Sequence, residues 1–421
     1  MSAGDRTVEH VTCLGCGCAC DDIAIVVKQA RITEARNACP LGAAWFGDGT
    51  APRETRVHGR TAPVERALGE AMKRLARAER PLVYIAGDVS CETQRESVAI
   101  ADRLRAALDS LAATAAPGVL AAQRRGRAGA TLGELRARAD LVVFWGVDPR
   151  ARYPRYGSRY VVDARGLAAR EGRNSRTVIA VDVGEARGPA DADARVAVAP
   201  ADEADALGVM RAAVQGRSVV GEGDADDARF EPALELASRM TKGRYVALVA
   251  DGEPSGPPAD PDRAEALVAL AQALNGPTRC ALSVLRAGGN RSGADAVLTW
   301  QAGFPFAADF ARGHPEYRPH AGAAELLAGG EVDAALVIGA AASVPEPVAV
   351  GLARVATVAI GPRASAAGFQ PVVAIDTGVA GIHEGGTAFR MDDVPLPLRA
   401  SLDGPASALA TVRALRERLG A

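Results

Sequence analysis

Eight short apolar runs, at residues 82–86, 141–145, 178–181, 245–249, 280–285, 334–338, 355–360 and 372–375, alternate with Ala/Arg/Leu-rich stretches of helical character such as 92–108. Most are continuously apolar, as strands of a parallel sheet covered by helices on both faces must be. That pattern restricts the chain to α/β architecture. Several runs end in Gly or Asp: Ala86-Gly87-Asp88, Trp145-Gly146, Val181-Asp182, Ile338-Gly339 and Ile360-Gly361. Ligands of open α/β sheets bind outside the carboxyl ends of the strands, so these turns would flank a nucleotide-like group. Taken singly, most are explained by Gly ending a strand. At 421 residues the chain exceeds one simple core, and two or three packed units are expected. Segments rich in Gly, Asp and Pro at 220–227 and 254–261 read as surface connections, with a domain boundary near the first. No internal repeat is visible.

Five of the seven cysteines fall at Cys13, Cys16, Cys18, Cys20 and Cys39. Read as C-x2-C-x3-C-x18-C, Cys13, Cys16, Cys20 and Cys39 would supply three thiolates from one tight turn and a fourth returned by a short hairpin. This spacing suits a [4Fe-4S] cluster. Zinc competes, since it also accepts four thiolates, but paired CxxC knuckles are more usual there. Gly15 and Gly17 loosen the turn, and Cys18 is spare. Cysteines left by a cluster-binding ancestor, with no metal, form the third possibility. The Asp21-Asp22 pair that follows would cap a helix or support the cysteine loop, with capping the favoured role.

Lys plus Arg number 49 against 51 Asp plus Glu, which predicts neither a nucleic-acid footprint nor an acidic tail. No stretch approaches the roughly 20 apolar residues of a membrane span, and a cytoplasmic location is expected. Clustered cysteines in a reducing compartment favour metal or free thiols over disulfides. Hydrolytic constellations are absent: His10, His58, His314, His320 and His383 form no H-x-x-x-H pattern, and no G-x-S-x-G elbow occurs. His383, in a Gly-rich loop beside Glu384, reads as a solvated or packing residue rather than a catalyst.

The opening Cys13-Leu14-Gly15-Cys16-Gly17-Cys18-Ala19-Cys20-Asp21-Asp22-Ile23, with Asn37-Ala38-Cys39, resembles the N-terminus of the formylmethanofuran dehydrogenase B subunit. Further blocks agree in order, among them Ser90-Cys91-Glu92, Ala130-Thr131-Leu132-Gly133-Glu134, Ser158-Arg159-Tyr160, Val297-Leu298-Thr299-Trp300, 303–313 and 386–392. The resemblance covers nearly the whole chain. It implies a molybdopterin-oxidoreductase-like α/β fold: a cysteine-rich iron-sulfur-type segment at 1–52, an α/β domain from 53–111 and 244–421, and a Rossmann-like α/β domain at 112–243. It also implies that the strand-end turns face a tungsten or molybdenum bis-pterin guanine dinucleotide, with Gly146, Asp182, Gly289, Asn290 and Gly361 at pterin-site positions.

The chain departs from that family where the metal is held. A Cys-His-Gly triplet supplies the thiolate to tungsten or molybdenum, and here the matching residues are Thr114-Ala115-Ala116. A hydroxyl does not replace a thiolate on a soft metal site. Cys91 lies in another block, and Asp148, where the family has Asn, would disfavour neighbouring phosphates unless paired. The losses match what is expected of the B subunit in the bacterial formyltransferase/hydrolase complex. The resemblance therefore implies a non-catalytic scaffold packed with the A (hydrolase), C and D (formyltransferase) subunits, lacking the metal-pterin and possessing at most the [4Fe-4S] cluster. The alternative is an active tungsten- or molybdenum-pterin oxidoreductase. A free-standing nucleotide-binding protein has only the Gly-turned strands behind it.

Overall fold

The computed structural model describes residues 5–217, 225–253 and 261–420. Two compact units emerge, one from Met1–Thr114 with Ala287–Ala421 and one from Ala115–Arg286. Most of the connection expected at 220–227, and that at 254–261 up to its last residue, lie outside the described residues.

The first unit is built on a nine-stranded mixed sheet. Its centre is parallel, in the order Ala107–Ser110, Pro81–Ile85, Ala334–Ile338, Ala356–Gly361, Val373–Asp376. Antiparallel pairs of short strands finish both edges. Side chains alternate across each strand, so one apolar run feeds two cores. Val83, Ile85, Leu336, Ile338, Val358 and Ile360 meet the helices Val64–Arg77, Cys91–Leu104, Arg291–Ala302 and Ala408–Arg418. On the opposite face Leu82, Tyr84, Ala335, Val337 and Ala359 meet Ala323–Ala328 and Glu346–Leu352.

Ahead of this sheet, Arg6–Val11, Ile23–Lys28 and Arg31–Arg36 form an antiparallel meander. Its last two strands are the short hairpin expected before Cys39, whereas the first strand, Arg6–Val11, is mostly exposed and carries no continuous apolar run to mark it. Asp21 and Asp22 lead into the strand Ile23–Lys28, which corrects the helix-cap reading. The cysteine-rich segment groups with the first unit's body and is not a compact unit of its own.

The second unit holds five parallel strands ordered Ala194–Val198, Thr177–Val183, Leu141–Trp145, Val246–Asp251, Cys280–Leu285. In chain order this is 3-2-1-4-5, a doubly wound sheet whose direction reverses between Leu141–Trp145 and Val246–Asp251. Leu248, Val143, Ile179 and Trp145 pack against the helices Glu203–Val214, Glu231–Lys242 and Pro261–Leu274. The expected boundary at 243/244 is thereby corrected to 286/287: Val246 to Ala250 pair with Leu141 to Trp145, so the last two strands complete the second sheet. The first boundary falls at 114/115, close to the expected 111/112.

Candidate functional site

The turn bearing Cys13, Cys16, Cys18 and Cys20 connects the first two strands of the meander. Its neck is closed by the Cys13 N–H donating to Cys20 O (2.9 Å), and the Ala19 N–H donates to Cys16 O (3.1 Å) with Ala19 in a left-handed conformation. The hairpin of Ile23–Lys28 and Arg31–Arg36 then returns the chain to Cys39, the N-cap of the helix Pro40–Phe46. Cys39 Sγ accepts from the Gly42 N–H and Cys13 Sγ from the Gly15 N–H, each at 3.4 Å. Both sulfurs flank Gly42, where a Cβ would lie 3.2 Å from Cys13 Sγ and 3.8 Å from Cys39 Sγ. A larger residue would fill the space between them.

Burial drives the Cys13 thiol pKa up, the Gly15 N–H opposes this, and Cys16, Cys20 and Cys39 raise it further by like charge. Cys18 is fully buried and hydrogen-bonded to Cys16, and that bond is the largest cause of its raised pKa, ahead of burial. Such a set is costly as bare thiolates but is stabilised by bound cationic metal. Among the described residues no three His, Cys, Asp or Glu side chains converge on one ion position. Tetrahedral zinc needs that convergence, with Zn–S bonds of about 2.3 Å. A four-iron cluster takes thiolates at separate corners, the arrangement the spacing of Cys13, Cys16, Cys20 and Cys39 leads one to expect.

The turn is fixed to the rest of its unit by hydrogen bonds to backbone carbonyls. The Gly289 N–H donates to Leu14 O (2.9 Å), the Met391 N–H donates to Gly17 O (2.9 Å) and Thr12 Oγ1 donates to Pro397 O (2.8 Å). Leu14 packs with Ala380, Ala388, Leu398 and Trp45. Gly288 permits this approach, since a Cβ there would collide with Leu14 O.

Thr114 lies in a 3-10 turn at Leu111–Ala115. Its Oγ1 donates to Leu111 O (2.8 Å) and accepts from Arg291 Nη1 (3.0 Å). Both hydrogen-bonding roles of the hydroxyl are therefore in use, and the position does not fit a tungsten or molybdenum ligand. Asp88 follows the strand Pro81–Ile85 in a left-handed conformation and accepts from Trp45 Nε1 at 3.1 Å. Burial pushes its carboxyl up to about 6, against the Trp45 hydrogen bond and the Arg291 charge. Sequence reasoning missed Arg291; its signal was adjacency to Asn290 at a helix start. Cys91 is a buried thiol, pushed up to about 11 by burial despite the Asn290 amide 3.6 Å away.

Of the five positions expected at a pterin site, Gly146 and Asp182 lie in the second unit and Gly289, Asn290 and Gly361 in the first. Gly146 turns the chain after Trp145 at φ 59°, its N–H donating to Val181 O (2.8 Å). Asp182 is buried and accepts from Arg195 Nη1 (2.5 and 2.7 Å), Arg187 Nη1 (3.1 Å) and the Gly188 N–H (2.9 Å). Burial would raise its carboxyl pKa, but these donors hold it below the usual range. Gly289, at φ 76°, leaves room for Gly87 and Asp88. Asn290 uses its amide on Val89 O (2.9 Å) and the Phe389 N–H (2.9 Å), and Gly361 abuts the Gly339 carbonyl. Asp148 accepts from the Arg150 N–H at 3.0 Å. His383 accepts from the Val379 N–H through Nδ1 (3.1 Å), and its Nε2 lies 2.8 Å from Gly49 O, a packing arrangement.

No family model matches the chain. It is 33% identical over 420 residues, 96% of each chain, to the B subunit of tungsten-containing formylmethanofuran dehydrogenase 2 from Methanocaldococcus jannaschii. It is 29% identical over 424 residues, 97% of each, to the B subunit of tungsten-containing formylmethanofuran dehydrogenase 2 from Methanococcus maripaludis. In structure it is similar to a chain of the formyltransferase/hydrolase complex from Methylorubrum extorquens, solved with methylofuran, with a TM-score of 0.71 and 26% identity over 87% of this chain and 98% of that one.

Proposed function

The chain belongs to the formylmethanofuran dehydrogenase B-subunit family, and on that premise we propose that it is a non-catalytic scaffold within a formyltransferase/hydrolase complex. Its partners in this reading are the hydrolase (A), C and formyltransferase (D) subunits. Together they move a formyl group from tetrahydromethanopterin to a furan carrier and hydrolyse it to formate, a step in formaldehyde oxidation. The observation that carries the proposal is Thr114, whose hydroxyl is engaged by Leu111 O and Arg291 where the resemblance requires a metal-binding thiolate. The solved relative in a formyltransferase/hydrolase complex supports the same assignment. The tied carboxylate of Asp182 also favours it, because a nucleotide there would have to compete with two arginines.

Cys13, Cys16, Cys20 and Cys39 would hold a [4Fe-4S] cluster. When bound it would link the turn to the helix Pro40–Phe46 covalently, a folding contribution that needs no redox role. The same four cysteines favour the second reading, an active tungsten- or molybdenum-pterin oxidoreductase with the cluster relaying electrons.

Elemental analysis of the anaerobically purified complex separates the two. The scaffold predicts neither tungsten nor molybdenum, with iron near ~4 per chain if the cluster is present. One tungsten or molybdenum per chain would establish the oxidoreductase. Thr114→Cys alone should give no formate-dependent dye reduction, and turnover in that variant would mean the pterin is already bound.

A further inference from the structure

The helices Cys91–Leu104, Arg291–Ala302 and Ala408–Arg418 leave a cleft on the first unit lined by Glu92, Arg95, Glu96, Gln301, Arg413 and Arg416. Three arginines face two glutamates there, which leaves the lining with a net positive charge. The carboxylates are committed: Glu92 accepts from the Thr387 N–H (2.9 Å) and Oγ1 (2.8 Å), and Glu96 bridges Arg413 (3.1 Å) and Arg416 (2.9 Å). One carboxylate thus faces two guanidiniums. Arg95 is exposed and forms no ion pair among the described residues.

An aromatic step adjoins this cationic cleft. Trp300 is 62% exposed, and its ring meets Phe389 edge-on at 5.6 Å. Phe389 lies two residues beyond Thr387 on the strand Gly386–Phe389, so the step is continuous with the Glu92 wall. An indole this exposed is stabilised when a partner covers it. Tryptophan and arginine are also the side chains that most often dominate binding at protein interfaces.

We infer that this cleft and the Trp300 step dock an acidic segment of a partner protein in the complex, with a carboxylate over Arg95, Arg413 and Arg416 and a neighbouring apolar side chain on the indole. The inference rests on the scaffold reading above. A second copy of this chain is a poor occupant, because a two-fold contact would place the same cationic patch against itself.

The test uses the chain co-expressed with the hydrolase, the formyltransferase and the third partner of the complex. Arg95→Glu and Trp300→Ser should each weaken assembly at least about tenfold, with unchanged circular dichroism and melting of the isolated chain. Benzoylphenylalanine in place of Trp300 should cross-link an Asp- or Glu-containing peptide of one of these partners. Wild-type affinity in both variants, or a cross-link to a second copy of this chain, overturns the docking surface while leaving the scaffold reading standing. Failure of the wild-type chain to assemble with any of the three overturns both.

Discussion

Arg291 is the point where several polar side chains of the first unit converge: it donates to Thr114 Oγ1 and its charge is felt by Asp88 and Tyr84. The guanidinium therefore sets the local charge around the Thr114 hydroxyl and the Asp88 carboxyl. Asp88 carries the measurable consequence. Burial raises its folded carboxyl pKa from 3.8 to about 6, so the folded state holds the proton more tightly than the unfolded chain does. The resulting stability is fully present below pH 3.8 and is lost as pH rises through about 6. Asp88→Asn, which cannot ionise, should therefore gain stability relative to the wild type as pH goes from about 4 to about 7.5. Paired thermal melts across that range give the difference directly, and a constant offset would show that Asp88 has an ordinary pKa.

At the scale of elements, three adjacent strand ends of the first sheet explain the glycines that follow them. A Cβ on Gly361 would collide with the Gly339 carbonyl, and one on Gly339 would lie 2.6 Å from Gly87 O. Gly87, Gly339 and Gly361 thus allow backbone to pass against backbone. Gly361→Ala should destabilise the protein by about 1–3 kcal/mol through overpacking, measured as a lower urea midpoint at unchanged slope. No change would mean the strand ends have slack, and a ligand crevice would then be the better account of the glycine. The same reasoning applies to the cysteine turn, whose seat depends on Gly288 lying under Leu14 O.

Over the whole molecule, the two large sheets carry separate apolar cores, and damage to one sheet should be read in that sheet. Leu248 and Leu336 are both fully buried, in the second and first units respectively. Leu248→Ala should cost about 2–5 kcal/mol and speed hydrogen exchange in Leu141–Trp145, Val246–Asp251 and Cys280–Leu285, while Leu336→Ala does so in Pro81–Ile85 and Ala356–Gly361. Equal acceleration everywhere would make the chain a single cooperative unit. The positions of central strands were legible in the sequence: Leu141–Trp145 and Ala334–Ile338 coincide with their apolar runs, because a strand buried on both faces needs apolar residues at every position. Partnership across the chain was decided only in three dimensions. The strands at 246–251 and 280–285 looked the same whichever sheet they joined, Asp182 gave no sign of Arg195 thirteen residues away, and nothing near Thr114 announced Arg291. Local patterns record how much of a segment is buried, whereas pairing and counter-charge depend on contacts that only the folded backbone brings together.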